Sequence, residues 1–260
     1  MSEVEGTADV GVEVGGDHVA AVEIRRPPNN FFDAGLIRRL ADALDRLASG
    51  DDGDVRAVVL CSEGRHFCAG ANFGGGGRGE GDARDLYQQA VRLFRQPLPV
   101  VAAVQGAAVG GGLGLALAAD LRVAAPEARF SANFARLGFH QGFGLSVTLP
   151  RAVGPQAAFE LMTTGRRIGG EEAHRLGLVD RLAPVDGLRD AARALAAEIA
   201  GSAPLAVRSI RATLRAGLAD EVAEAVVHER AEQERLMRTA DFREGLAAVA
   251  ERRPGNFTGR

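Results

Sequence analysis

Two glycine-bearing turns, centred forty residues apart on Gly70 and Gly110, hold the residues whose types and spacing offer chemistry. The first is Gly64-Arg-His-Phe-Cys-Ala-Gly-Ala-Asn-Phe73. The second is Ala102-Ala-Val-Gln-Gly-Ala-Ala-Val-Gly-Gly-Gly-Leu-Gly-Leu-Ala-Leu-Ala-Ala-Asp120. Each reads as a strand feeding a tight turn. Gly110 to Gly112 stand at the mouth of an alanine- and leucine-rich helix, where unpaired backbone N–H groups and the helix dipole favour negative charge. A second amide aimed from the first turn at the same point would complete an oxyanion hole, which stabilises a carbonyl oxygen as it becomes negative. No side chain is needed for that work.

Other chemistries fit less well. A dinucleotide fingerprint fails because the third glycine of G-x-G-x-x-G falls on Leu115 or Leu117. A phosphate loop fails for want of Gly-Lys-Ser/Thr. Ser146 lacks the following glycine of a nucleophile elbow. The alternative for Gly110 to Gly112 is close helix packing alone. Cys61, His66 and Cys68 lie within eight residues of one another, but no second ligand cluster accompanies them and Cys61 sits in an apolar strand, so no metal site is expected. His66 reads as a structural or rim residue. His140, in the glycine-dense loop Gly138-Phe-His-Gln-Gly-Phe-Gly144, is the candidate acid or base.

The elements that must position these turns follow from periodicity. Val10 to Ile24 reads as a β-hairpin around Gly15-Gly16-Asp17. Leu36, Leu40, Leu44 and Leu47 recur at helical spacing, Val55 to Cys61 is an apolar run of buried-strand type, and a helix is expected from about residue 83 to 94. Pro97 to Val104 and Leu121 to Ala124 read as further strands. Helices then dominate, at about 144–153, 155–163, 170–176, 186–200, 204–217, 219–238 and 241–251. The expectation is an α/β core with a helical C-terminal part, divided as 1–200 and 201–260. Gly74 to Gly81, with six glycines around Arg78 and Glu80, reads as a flap beside the site, with a phosphate-cradling nest as the alternative.

Composition bounds the partners. The 260 residues carry a formal charge of -3 and are 46% hydrophobic, neither the basic excess of a nucleic-acid binder nor the imbalance of a disordered chain. All 31 basic residues are arginine. Lysine Schiff-base chemistry and a phosphate-loop lysine are excluded. Two cysteines are too few for a disulfide framework, and no signal-peptide or membrane-spanning run is visible, so a cytoplasmic location without membrane partners is expected.

At its two glycine turns the sequence resembles the crotonase superfamily, the enoyl-CoA hydratase/isomerase family. The resemblance extends to Ala21-Val-Glu-Ile-Arg-Arg-Pro with Asn30, to Gly138–Arg151, to Leu161-Met-Thr-Thr-Gly-Arg-Arg-Ile with Ala173 and Gly177-Leu-Val-Asp180, and to Asp241–Gly245 through Arg253-Pro-Gly-Asn-Phe257. It implies an α/β crotonase-type spiral of ββα units, C-terminal helices that build a homotrimer or a hexamer of paired trimers, and an acyl-CoA thioester as substrate with no separate cofactor. Carried over by position, the amides of Ala71 and Gly111 would be the oxyanion donors. Ala69, Gly70, Asn72, Phe73 and Gly110 would line the CoA and acyl site, and Arg26 would meet a phosphate, since arginine must supply that charge.

The departure concerns acid and base. The resemblance places the glutamates of a hydratase at the positions held here by Gly114 and Phe134, and neither can transfer a proton. Three readings follow. One is an acyl-CoA enzyme whose acid–base group comes from elsewhere, with His140 first and Gln141, Asn72 or His66 behind it. Isomerisation, decarboxylation, thioester hydrolysis and dehalogenation in the superfamily need fewer or different groups than hydration. The others are an unusual hydratase with its water held by other groups, and a protein that binds acyl-CoA without turning it over. The acyl group itself is not encoded in any motif.

Overall fold

The computed structural model describes residues 2–72 and 83–260. Phe73 and the glycine-rich Gly74–Gly81 stretch lie outside the described residues. Strands β1 (Ser2–Thr7), β2 (Val10–Val14) and β3 (Val19–Ile24) form an antiparallel meander. β3 then starts a parallel series through β4 (Ala57–Ser62), β5 (Val100–Val104), β7 (Leu121–Ala124) and β10 (Arg181–Leu182), completing a seven-stranded sheet in the order β1-β2-β3-β4-β5-β7-β10. A second sheet orders β6 (Ala107–Val109), β8 (Arg129–Ser131) and β9 (Ile168–Gly169).

The parallel strands are apolar in unbroken runs because both faces of the sheet are covered. Val58, Leu60, Val100, Ala102 and Val104 face one core with Leu36, Leu40 and Leu44 of α1 (Ala34–Ser49) and Ala90 and Phe94 of α2 (Ala83–Arg95). The alternate residues Ala57, Val59, Cys61, Val101 and Ala103 face a second core with Leu188, Ala192, Leu195 and Ala196 of α7 (Leu188–Ala200). A period of two thus divides each strand between two cores. The expected helix around Leu36 begins where Asp33 Oδ1 accepts the Leu36 amide at 2.8 Å and ends at Gly50 in the left-handed region.

Helix α3 (Gly111–Ala118) is wholly buried. After it come α4 (Leu145–Val153), α5 (Pro155–Thr164), α6 (Gly170–Arg175) and α7, then α8 (Pro204–Leu214), α9 (Leu218–Leu236) and α10 (Ala240–Glu251), close to the spans expected from periodicity. α9 packs on α2 and α4. The sequence reading lacked β1 and the short strands β6, β8, β9 and β10. β9 and β10 have two residues each, too few to show alternation, and β1 reads Ser-Glu-Val-Glu-Gly-Thr with little apolar content. Among the described residues no helix is long and apolar enough to cross a membrane.

Candidate active site

The first turn is strung between two neighbours. Asn30, fully buried and at φ 49°, donates Nδ2 to Glu63 O at 2.8 Å and to His66 O at 2.6 Å, while its Oδ1 accepts the Arg26 amide at 2.9 Å. Asparagine tolerates this left-handed backbone because its side chain bonds locally. Beyond it, the Ala69 amide donates to Asn29 O and the Phe32 amide to Gly70 O, both at 3.0 Å. On the other side the Cys68 amide donates to Ala107 O at 2.9 Å, and Cys68 O accepts the Val109 amide at 3.1 Å. One rung of parallel pairing therefore joins the turn to β6, the strand that runs into Gly110.

Two glycines permit the approach. Gly70 has φ +90°, and a Cβ built there would stand 2.8 Å from Val109 O and 3.8 Å from the Gly111 nitrogen. A Cβ on Gly112 would meet Cys68 O at 2.1 Å. Both turns thus meet backbone to backbone, with Ala71 next along the chain from Gly70. The Gly110 amide donates to Ser131 O at 2.8 Å, whereas among the described residues no acceptor is found for the Ala71 or Gly111 amide.

Aromatic rings surround the meeting point. A Cβ on Gly111 would stand 2.3 Å from Phe32 Cζ, one on Gly114 2.7 Å from Phe143 Cβ, and one on Gly110 3.7 Å from Phe134 Cζ. Phe32 and Phe143 pack with ring centroids 5.4 Å apart, and Phe134 and Phe139 at 5.3 Å. Burial of the rings makes this a low-dielectric surface in which backbone dipoles act strongly. One polar side chain that motif reading missed also reaches it: Asn133 Oδ1 is 3.2 Å from the position of a Gly110 Cβ. Asn133 opens a 3-10 turn, Asn133–Leu137, directly after β8, and only the packing of β8 beside β6 brings it to Gly110.

The loop that carries Phe143 is held by α2 and α9. Glu229, fully buried, accepts the Gly144 amide at 2.8 Å and the Ser146 amide at 3.0 Å, capping α4 from outside. Tyr87 Oη donates to Gln233 Oε1 at 2.7 Å, and Gln233 Nε2 donates to His140 O at 3.0 Å. Burial, followed by the charge of Glu229, pushes the Tyr87 phenol up. Sequence spacing gave no sign of these residues, because α9 starts more than seventy residues after the loop.

The other candidates have these surroundings. His140 Nδ1 lies 2.9 Å from Gln141 O, and its ring packs edge-on against His228 of α9 with centroids 5.7 Å apart. Gln141 Nε2 donates to Ser146 Oγ at 3.1 Å. His66 Nδ1 accepts the Ala107 amide at 3.3 Å, and burial, with Arg65 and Arg129, pushes its pKa down. Arg26 forms ion pairs with Asp9 at 2.8 Å and Asp33 at 3.0 Å, so two carboxylates offset its charge. Asn72 is exposed beside Ala71. Cys61 and Cys68 are free and buried, and among the described residues no group of three metal-ligating side chains occurs.

A parallel-rich sheet, glycine turns meeting backbone to backbone and a buried helix leading away from them define a crotonase-type α/β fold. Residues 15–260 match the family model described as enoyl-CoA hydratase/isomerase, and the chain belongs to that enzyme family. A Rhodobacter capsulatus protein named "Probable enoyl-CoA hydratase" is 37% identical over 248 residues, covering 93% of this chain and 95% of that protein. Among solved structures, an enoyl-CoA hydratase/isomerase from Pseudoalteromonas atlantica T6c superposes with a TM-score of 0.85 at 31% identity, covering 96% of this chain and 100% of that one. An enoyl-CoA hydratase from Mycobacterium avium subsp. paratuberculosis K-10 gives 0.83 at 30% identity, covering 96% and 99%.

Proposed function

We propose that this protein binds an acyl-CoA thioester and stabilises the enolate or oxyanion form of its carbonyl with the amides of Ala71 and Gly111. The observation that supports the reading is the close approach of the two turns: a Cβ on Gly70 would stand 2.8 Å from Val109 O and 3.8 Å from the Gly111 nitrogen, Ala71 follows Gly70 in the chain, and among the described residues neither the Ala71 nor the Gly111 amide has an acceptor. As the thioester oxygen gains charge, both N–H bonds strengthen, and one such donor is worth roughly 2.7–4 kcal/mol of barrier. Gly110 and the neighbouring Ala69, Gly70 and Asn72 line the CoA and acyl path on this reading, and the substrate's own CoA is the only cofactor required.

Gly114 and Phe134 provide no proton-transfer group, and Phe143 fills the space in front of Gly114. Water addition by a glutamate pair is therefore not the reaction we assign. Isomerisation, thioester hydrolysis or decarboxylation, which draw on the oxyanion donors with a single other polar group, fit these walls. Asn133 is a polar side chain beside Gly110. The same ring packing favours a second reading, acyl-CoA binding without turnover. Self-association, as a trimer or paired trimers, is supported by α8, which buries no residue within one chain and leaves Leu205 and Leu214 each 80% exposed.

Mass spectrometry of a panel of saturated, unsaturated and malonyl-type acyl-CoAs before and after incubation, paired with calorimetry, tests this. A mass change by loss of carbon dioxide or release of free CoA names the reaction, and a double-bond shift is read from fragmentation. Heat of binding with every thioester intact supports the second reading, and no heat with any CoA derivative removes both.

A further inference from the structure

Helix α3 reads Gly-Gly-Leu-Gly-Leu-Ala-Leu-Ala and has no polar side chain of its own. Its last carbonyls are satisfied from elsewhere. Arg215, at the end of α8, donates Nη2 to Ala118 O at 3.1 Å and Nη1 to Asp120 Oδ1 at 2.7 Å. Arg122 of β7 donates Nη1 to Ala119 O at 3.1 Å and Nε to Leu178 O at 2.6 Å, and pairs with Asp180 at 3.2 Å. The Asp120 carboxylate also accepts the Val100 amide at 2.8 Å and Arg211 Nε at 2.9 Å, and Arg211 Nη1 donates to Gln96 O. The side chains of Arg122, Arg211 and Arg215 are 9%, 10% and 15% exposed. Two guanidinium groups thus close the negative end of a helix whose positive end begins at Gly111.

We propose that Arg215 is a positioning residue for the Gly111 oxyanion donor, an inference that rests on the oxyanion reading above. α3 is about 12 Å long at 1.5 Å per residue, and it packs through non-directional apolar contacts, with Phe32 at Gly111, Phe143 at Gly114 and Leu161, Ile168 and Leu178 beside Leu113, and has no polar side chain of its own to anchor it. Holding the Ala118 carbonyl therefore sets the axial position and tilt of the helix, and with them the direction of the Gly111 N–H. Asp120 couples that grip to β5 through Val100, so the C-terminal helix α8 is tied to the catalytic turn through the floor of the sheet.

Difference infrared spectroscopy of the full chain with butanoyl-CoA carrying carbon-13 at the thioester carbonyl reads the polarisation of that bond. In the unaltered protein the bound band is expected below its frequency in water. A bound ligand with an unshifted band would overturn the oxyanion reading itself. In Arg215→Met the downshift should fall by roughly half or more, with affinity for free CoA, which lacks the thioester carbonyl, unchanged. Arg215→Lys should recover most of the shift by keeping a cation near Asp120. Asp120→Asn, which conserves size while loosening Arg215 and Arg211, should move the band in the same direction and serves if Arg215→Met does not fold. A full downshift in Arg215→Met or Asp120→Asn, whatever happens to the melting temperature, overturns the proposal.

Discussion

Phe143 packs onto Gly114 so closely that a Cβ on the glycine would stand 2.7 Å from the phenylalanine Cβ. Residue 143 lies at φ 63°, and its loop is fixed by the Glu229 and Gln233 bonds. Gly114→Ala should therefore cost about 1–3 kcal/mol by overpacking, measured by urea denaturation. Phe143→Gly, which suits the left-handed backbone, should remove most of that penalty in the double variant. Strict additivity of the two substitutions would show that the contact is not made. Gly114→Glu alone should yield no water addition to crotonyl-CoA, because the ring occupies the approach.

His140→Ala should leave turnover of the acyl-CoA found in the panel within roughly twofold, the scale of a surface effect of about 0.5 kcal/mol. The reason is that its ring packs on His228 of α9 and bonds Gln141 O. Steady-state kinetics decide this, and abolished turnover with binding spared would identify His140 as the acid or base.

Asn133→Ala should lower kcat about tenfold on the same substrate while the affinity for free CoA holds, as expected when one hydrogen bond of about 1.4 kcal/mol is felt mainly in the transition state. Asn133→Asp tests the sign of the charge: a carboxylate beside developing negative charge should slow the reaction further. Equal losses in kcat and CoA affinity would make Asn133 a packing residue.

Burial pushes the Cys68 thiol up to about 12 and the Cys61 thiol up to about 11, from an ordinary value of 9.0. Native protein at neutral pH should resist iodoacetamide at both positions and react at both in urea, as counted by mass spectrometry. The folded chain keeps these protons where the unfolded chain releases them. Their contribution to stability is thus complete below pH 9.0 and is lost as pH rises toward about 12. Cys68→Ala should flatten the alkaline limb of the stability curve relative to the unaltered protein.

Local pattern determined a good deal. Strands β2 to β5 and the helices from α4 to α10 are legible because each is long enough to show its own period, or closes on a glycine or proline that marks its end. The two glycine turns are legible for the same reason: Gly70, Gly110 and Gly112 are residues that a close backbone approach demands, and they are contiguous with apolar strands that must be buried. The absence of lysine and the identities of Gly114 and Phe134 are properties of the chain alone.

Tertiary structure decided what fills the space around those turns. Phe143 against Gly114, Phe32 against Gly111 and Asn133 beside Gly110 join residues from different elements, and side-chain contact across such separations leaves no local period to read. The same holds for Arg26, whose charge meets Asp9 and Asp33, and for His140, which faces His228. A turn's backbone geometry is written in a few neighbouring residues, whereas the polarity of a pocket is the sum of side chains that only folding brings within van der Waals distance.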